Sequence, residues 1–107
     1  MENKKNQRLH GMLGFAKRAG KVIIGTELVC RAMPKGEVKL VVISAASSLP
    51  TKKKLTVKSD FYKIPWVEAD IDTDSLGHIL GKSSSVAAVA ITEERFAEEI
   101  SKATVSD

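Results

Sequence analysis

The sequence predicts a layered α/β fold, and the distribution of its apolar residues is the main reason. Two runs, residues 38–43 and 86–91, are almost entirely aliphatic, which is typical of strands covered on both faces. Segments with helical spacing alternate with strands in the order αβαβαβαβα. That order predicts a three-layer α-β-α sandwich. At 107 residues, the chain is large enough to form one domain, residues 1–107, with its own core.

A first helix is predicted to begin near Asn6. Apolar residues then recur with helical spacing on one face: Leu9, Met12, Leu13, Ala16 and Ala19. Gly20 suits the left-handed residue that ends such a helix. Residues 21–24 are rich in β-branched side chains and predict a short strand. We expect residues 1–6, before this helix, and residues 102–107 to be frayed.

The second helix is predicted to begin with Thr26 as its N-cap, because a Thr hydroxyl can accept a bond from the first-turn amides. It is expected to end before Pro34 and Gly36. Glu27 and Arg31 are spaced to form an ion pair on its exposed face. The residues expected on its buried face are Leu28, Val29, Ala32 and Met33.

A third helix is predicted after Ser47 or Ser48, either of which can serve as its N-cap. Leu55 and Tyr62 lie seven residues apart and are expected on its inner face, while lysines 52–54 fan around it. Residues 64–68 predict a strand. Pro65 near its start indicates an edge strand or a strand entry, because proline cannot donate to a ladder.

A fourth helix is predicted after Asp72 or Thr73 and before Gly81. Thr92 is expected to cap a fifth helix that carries Phe96 and Ile100 on its inner face. These two helices complete the alternation of helices and strands.

Charge is divided unevenly along the chain. Residues 1–63 hold 14 Lys and Arg against 4 Asp and Glu, whereas residues 64–107 hold 3 against 9. The basic half indicates a polyanionic partner, because neutralising phosphates releases counterions. The alternative is that the two signs balance each other on opposite faces of one fold.

Catalytic and metal-binding motifs find little support. Asp70, Asp72 and Asp74 alternate as in a calcium loop, but the glycine and glutamate that such a loop needs are absent. His10 and His78 are isolated in the sequence, and Cys30 has no evident base to activate it. The glycines form no dinucleotide-binding pattern. We therefore expect no enzyme activity, no metal and no cofactor.

The cysteine count and the apolar runs predict where in the cell the protein works. One cysteine cannot form an internal disulfide, and no signal pattern opens the chain. The longest apolar run, residues 86–91, is too short to span a bilayer. These features predict a cytoplasmic protein that does not bind membranes.

The turn at Gly25-Thr26 is the predicted binding site. Cationic side chains surround it in the sequence, and a helix N-terminus offers free N–H groups to anions. The cations are Lys17, Arg18, Lys21, Arg31 and Lys35. Lysines 52–54 are either part of this surface or simply solvated.

Several stretches resemble a known family: GFAKRAGKVIIGTELVCRAMPKGEVKLVVIS, TKKKL, FYKIPWVE, LGHILGK and VAAVAIT. From about Leu9 to Ile100 the chain is similar to the kink-turn-binding ribosomal proteins, the large-subunit L-seven-Ae and L-thirty-e group, and to their small bacterial, YlxQ-like branch. The resemblance implies a four-stranded mixed sheet. It also implies that the helix after Gly25-Thr26 enters the widened major groove of a kinked RNA.

Two departures from the family pattern affect what the site can read. Members that bind kink-turns well carry Asn-Glu-x-x-Lys after the Gly-Thr turn, and the matching positions here are Glu27, Leu28 and Arg31. Glu27 only accepts hydrogen bonds, and Leu28 makes none. Apolar residues of the family's loop after the fourth helix are replaced by polar ones: Lys82, Ser83 and Ser84.

The leading functional hypothesis is a non-enzymatic, monomeric protein that binds structured RNA, ribosomal RNA in particular, and associates with the ribosome or translation factors. An alternative is a protein-interaction module that uses Trp66 and residues 93–99 to dock on a translation or RNA-processing factor. A third is an enzyme, because similar domains recruit substrate in RNA methyltransferases. This chain has no room for the knotted cofactor domain that such an activity needs.

Overall fold

The computed structural model describes residues 4–105, along which five helices and four strands alternate. The helices are α1 (Lys4–Arg18), α2 (Thr26–Ala32), α3 (Leu49–Phe61), α4 (Thr73–Ile79) and α5 (Glu94–Val105). The strands are β1 (Val22–Ile24), β2 (Leu40–Ser44), β3 (Trp66–Ala69) and β4 (Ala88–Ile91). Of the residues expected to fray, 4–6 and 102–105 lie in α1 and α5, whereas 1–3 and 106–107 lie outside the described residues.

The strands form one mixed sheet in the order β1-β4-β2-β3. β2 and β3 run parallel, with Val42 opposite Val67, because the connection through α3 returns the chain to the same end of the sheet. β4 runs antiparallel to both β1 and β2. The four-stranded mixed sheet is thereby confirmed. β3 lies at an edge, as its preceding proline predicted.

Helices cover both faces of the sheet. One face, including Leu40, Val42, Val89 and Ile91, belongs to a buried cluster with residues of α1, α4 and α5. Alternate residues of the same strands, Val41, Ile43, Ala88 and Ala90, belong to a second cluster with residues of α2 and α3. Every residue of β2 and β4 is buried. The predicted three-layer sandwich with two doubly covered strands is confirmed.

Several predicted helix ends are confirmed. Gly20 has φ 73° and follows α1 as a left-handed residue. The Ser48 hydroxyl accepts a hydrogen bond from the Thr51 amide, so Ser48 rather than Ser47 caps α3. Asp72 rather than Thr73 caps α4, accepting a bond of 2.7 Å from the backbone N–H of Ser75.

Two predicted caps were wrong. Gly25 rather than Thr26 precedes α2, with φ 105°, a conformation that suits glycine. Because the Gly25 amide bonds to the Ala88 carbonyl at 3.0 Å, Gly25 is held to β4 and Thr26 becomes the first helical residue. At α5, Glu93 rather than Thr92 supplies the cap, since its carboxylate accepts a bond from the backbone amide of Phe96.

Some residues expected to be buried are exposed. Leu28 is 53% exposed, because the buried face of α2 is rotated away from it and consists of Val29, Cys30 and Ala32. Tyr62 is 36% exposed, since α3 ends at Phe61 and the chain turns before Tyr62 can face inward. Ala19 lies beyond the last residue of α1 and is also exposed.

Among the helices in residues 4–105, none combines the length and apolar character needed to cross a bilayer.

Candidate nucleic-acid interface

Two distant segments of the chain form a groove at one end of the sheet. Ile24, Gly25 and Thr26, at the junction of β1 and α2, line one part of it, and residues 84–87 together with Lys82 line another. Thr73, at the start of α4, completes the lining. The volume of this Gly25 groove is about 430 Å³. Its two walls are joined by the hydrogen bond from the Gly25 amide to the Ala88 carbonyl.

Glycines shape the wall that follows α4. Gly81 has φ 75° and reverses the chain at the end of the helix. The Lys82 amide then bonds back to the Gly77 carbonyl at 2.8 Å. A Cβ atom on Gly77 would overlap the carbonyl oxygen of Ser84. The loop therefore packs directly on the backbone of α4, and this contact sets the position of Ser84.

Two lysines lie at the loop side of the groove. Lys82 is exposed and lines it directly. The ammonium of Lys17, from the last turn of α1, lies 3.5 Å from the position that a Cβ would occupy on Gly81. Lys17 thus reaches across to the turn that precedes Lys82, although the two residues are far apart in the sequence. Both lysines carry a positive charge that can meet a phosphate.

The outer face of α2 continues from the groove. Glu27, Leu28 and Arg31 are all exposed there, and Lys35 is exposed in the single 3-10 turn that follows. The predicted Glu27–Arg31 pair was wrong, because Glu27 instead makes a salt bridge of 3.3 Å with Lys54 of α3. α2 and α3 pack side by side, so Lys54 approaches Glu27 from the neighbouring helix.

Two of the predicted cations are not shown to contact the groove. The Arg18 guanidinium carbon lies 4.8 Å from the centroid of the Phe15 ring, in a cation–π contact on α1. Lys21 precedes β1, and its carbonyl accepts a bond from the Thr92 amide, at the end of the strand opposite to Gly25. Lys21 is therefore about four residues, or roughly 13 Å, from the Gly25 groove.

The predicted site is thus brought together only in part. The residues that line or adjoin the groove are Lys17, Gly25, Thr26, Lys82 and Ser84. Ser83 lies in the same loop but does not line the groove, and Glu27, Leu28, Arg31 and Lys35 lie on the adjoining outer surface of α2. Gly77 and Thr73 were missed. A glycine inside a helical pattern is a signal of close backbone approach and could have indicated Gly77.

Within residues 4–105, no three His, Cys, Asp or Glu side chains are arranged to hold a metal ion. Cys30 is buried in the core under α2. Hydrogen bonds from the backbone and side chain of Ser75 lower the pKa of Asp72 below its ordinary value of 3.8, which fits its role as the cap of α4.

The protein family described as the Ribosomal protein L7Ae/L30e/S12e/Gadd45 family matches residues 7–101. The chain belongs to this family. The match covers almost every element of the fold and both walls of the Gly25 groove. The resemblance found in the sequence is confirmed.

Relatives with similar sequences are found in bacteria and archaea. The RNA-binding protein YlxQ of Bacillus subtilis is 36% identical over 89 residues, which cover 83% of this chain and 87% of that protein. The large ribosomal subunit protein eL30 of Sulfolobus acidocaldarius is 32% identical over 89 residues, covering 83% of this chain and 86% of that protein. The bacterial YlxQ-like branch is therefore the correct place for this chain.

A solved structure of a protein with unknown function from Bacillus halodurans C has the same fold. Its TM-score is 0.83 at 29% sequence identity, and the match covers 91% of this chain and 96% of that one.

Proposed function

We propose that this protein binds a structured, kink-turn-like RNA through the Gly25 groove and the adjoining outer face of α2. The protein does so without catalysing a reaction. The observation that carries the proposal is the meeting of the Gly25-Thr26 turn with a lysine-bearing loop in one groove. Support also comes from relatives, because YlxQ of Bacillus subtilis is named an RNA-binding protein and eL30 a ribosomal protein.

Electrostatics supports a phosphate backbone as the ligand. Lys17 and Lys82 adjoin the groove on one side, and Arg31 is exposed on α2. The backbone amides at the start of α2 precede the first intrahelical bond, so they are free to donate to an anion. Contacts of this kind position an RNA without reading its sequence.

Base recognition at this surface is expected to differ from that of family members with Asn-Glu-x-x-Lys. Glu27 offers only acceptor oxygens, and one of them is bound by Lys54. Leu28 is 53% exposed and offers an apolar contact in place of a hydrogen bond. The charged contacts of Lys17 and Arg31 are unaffected by these two changes. The proposed surface therefore keeps affinity for phosphate and has an altered preference for bases.

Filter binding at two salt concentrations tests the proposal. The ligand is a hairpin with a kink-turn, and the control RNA is a continuous duplex of the same composition. With about three to four phosphates neutralised, affinity should fall roughly 40- to 150-fold when monovalent salt is raised fourfold. We expect the kinked RNA to bind more tightly than the straight duplex. Failure to bind either RNA at low salt would refute the proposal.

Arg31→Ala locates the contact surface. Removing one phosphate contact should weaken binding of every RNA and reduce the slope of log affinity against log salt by about 0.9. The matched control is Arg95→Ala, since Arg95 is also exposed but belongs to α5, on the opposite face of the sheet from α2. Equal effects of both substitutions would show that α2 is not the contact surface.

The protein-interaction alternative receives less support from the structure. Trp66, its expected anchor, is only partly exposed, and its indole packs against the core beneath α2 and α3. The indole N–H donates to Asp60 at 3.1 Å. A tryptophan held in this way is part of the fold and offers little to a partner.

A further inference from the structure

The exposed face of α3, which we call the α3 groove, is a shallow and open surface outside the one proposed above. Its apolar residues include Val57, Phe61 and Tyr62. Phe61 is 75% exposed and Val57 58% exposed. The rings of Phe61 and Tyr62 meet edge to face, with their centroids 4.9 Å apart. These two aromatic side chains support each other at the surface and are not needed to fill the core.

The charged residues that line this α3 groove are all lysines. Lys53, Lys54 and Lys58 line it, and they are its only charged lining residues among those described. Three carboxylates lie nearby: Glu27 pairs with Lys54 at 3.3 Å, Glu68 pairs with Lys52 at 3.4 Å, and Asp60 accepts a hydrogen bond from the Trp66 indole. Aromatic rings bordered by lysines are the arrangement that binds unpaired nucleotides, with bases on the rings and phosphates on the cations.

Protein partners fit this chemistry less well. Lysine is depleted at protein–protein interfaces, whereas aromatic residues are enriched there. A groove with three lysines among its lining residues would leave those ammonium groups desolvated against an apolar partner, at a large energetic cost. A polyanion removes that conflict, because each lysine then meets a phosphate.

The α3 groove is also continuous with the proposed RNA surface. Lys54 lines the α3 groove and simultaneously makes the salt bridge to Glu27, in the first turn of α2. From Lys54 to Phe61 the distance along α3 is about 10 Å, seven residues at the helical rise. An RNA held at α2 can therefore extend a strand along α3 without leaving the protein.

We propose that the α3 groove binds an unpaired segment of the same RNA whose structured part occupies the Gly25 groove. A base of that segment stacks on Phe61, and its phosphates contact Lys53, Lys54 and Lys58. This inference rests on the proposed function for the structured part. It adds a second contact class, stacking with a single strand, that does not depend on base pairing or on a kink.

Three RNAs test the inference with the full-length protein: a blunt kinked hairpin, and the same hairpin carrying about eight unpaired uridines at its 5′ or its 3′ end. One of the extended RNAs should bind at least about fivefold more tightly than the blunt one. Phe61→Ala should abolish this gain and leave affinity for the blunt hairpin unchanged. Phe61→Trp should retain the gain, because stacking survives.

Leu49→Ala is the matched control. Leu49 is 79% exposed on the same helix but does not line the groove, so the gain should persist in this variant. The inference is overturned if neither extension raises the affinity, or if Phe61→Ala keeps the gain. Either result would show that this face of α3 does not bind unpaired RNA.

Oligouridine alone separates this inference from the proposed function. If the blunt hairpin fails to bind but oligouridine binds and Phe61→Ala weakens it, the α3 groove is supported and the Gly25 proposal fails. If the hairpin binds and neither extension raises its affinity, the α3 groove is refuted while the Gly25 proposal stands. Photocrosslinking of a 4-thiouridine extension should label Phe61 or Tyr62, and labelling confined to other elements would count against the groove.

Discussion

Replacing Gly77 by alanine tests whether the loop beside the Gly25 groove is positioned by α4. Gly77 is buried inside α4, and a Cβ there would overlap the Ser84 carbonyl oxygen. The same Cβ would lie 3.3 Å from the Ser84 carbonyl carbon and 3.4 Å from the Ser85 Cα. To restore an ordinary carbon–oxygen contact of about 3.3 Å, the loop must retreat by about 1 Å. The substitution therefore displaces one wall of the groove.

The energetic expectation combines two opposing effects. Alanine in place of glycine within a helix contributes about 1 kcal/mol of stability. Overpacking at a tight contact costs about 1 to 3 kcal/mol, so Gly77→Ala should lower the free energy of unfolding by about 0 to 2 kcal/mol. Gly11 offers the matched control, because it lies in α1 and a Cβ there meets no described atom within 4 Å. Gly11→Ala should raise the free energy of unfolding by up to about 1 kcal/mol.

Urea unfolding and filter binding provide the two measurements. Gly77→Ala should be less stable than Gly11→Ala by about 1 to 3 kcal/mol, and it should bind the kinked RNA more weakly than the unsubstituted protein does. Gly11→Ala should bind RNA normally. If Gly77→Ala were as stable as Gly11→Ala and bound RNA with unchanged affinity, the contact between Gly77 and Ser84 would not determine the shape of the groove.

Three further predictions concern single side chains. In filter binding, Glu27→Asn should raise affinity for kinked RNA roughly tenfold, because an amide can both donate and accept at a base edge. Glu37→Asn, at another exposed position, should leave that affinity unchanged. Ser59→Ala should raise the free energy of unfolding by about 1 kcal/mol in urea titrations, because its buried hydroxyl has no hydrogen-bond partner among the described residues. Ser47→Ala, which removes a bond to a backbone carbonyl, should lower it instead. Asp72 has a lowered pKa, so its contribution to stability is present above its ordinary value of 3.8 and is lost as pH falls through the folded-state pKa. Asp72→Asn should therefore lose less stability between pH 5 and pH 2 in acid titrations followed by circular dichroism, and an equal loss would exclude this residue as a source.

Much of the fold could be predicted because strands that are buried on both faces consist almost entirely of aliphatic residues. β2 and β4 are covered on both faces, and that requirement is visible as two runs of aliphatic residues. Local polar patterns also identified the starts of α3 and α4, at Ser48 and Asp72. The start of α2 could not be found in this way, because the bond between Gly25 and Ala88 that fixes it joins residues far apart in the sequence.

Residues of the candidate site could be predicted only where neighbouring residues in the sequence, or the family resemblance, indicated them. Gly25 and Thr26 were identified from their turn, and Lys82 from its family position. Glu27 was assigned to the wrong partner, because helical spacing favours Arg31 whereas Lys54 approaches from 27 residues away. The aromatic part of the α3 groove had no sequence signal, since Tyr62 was expected to face inward and its exposure depends on where α3 ends.

The short strand β1 links the stability of one sheet edge to ligand binding in the Gly25 groove. β1 pairs with β4 alone, and one wall of the Gly25 groove follows directly from it. Short edge strands open more readily than the centre of a sheet, so occupancy of the groove and closure of this strand must be linked. A ligand that requires the closed strand would slow deuterium uptake at the amides of Ile23 and Gly25, which face β4, in proportion to the saturation of the groove.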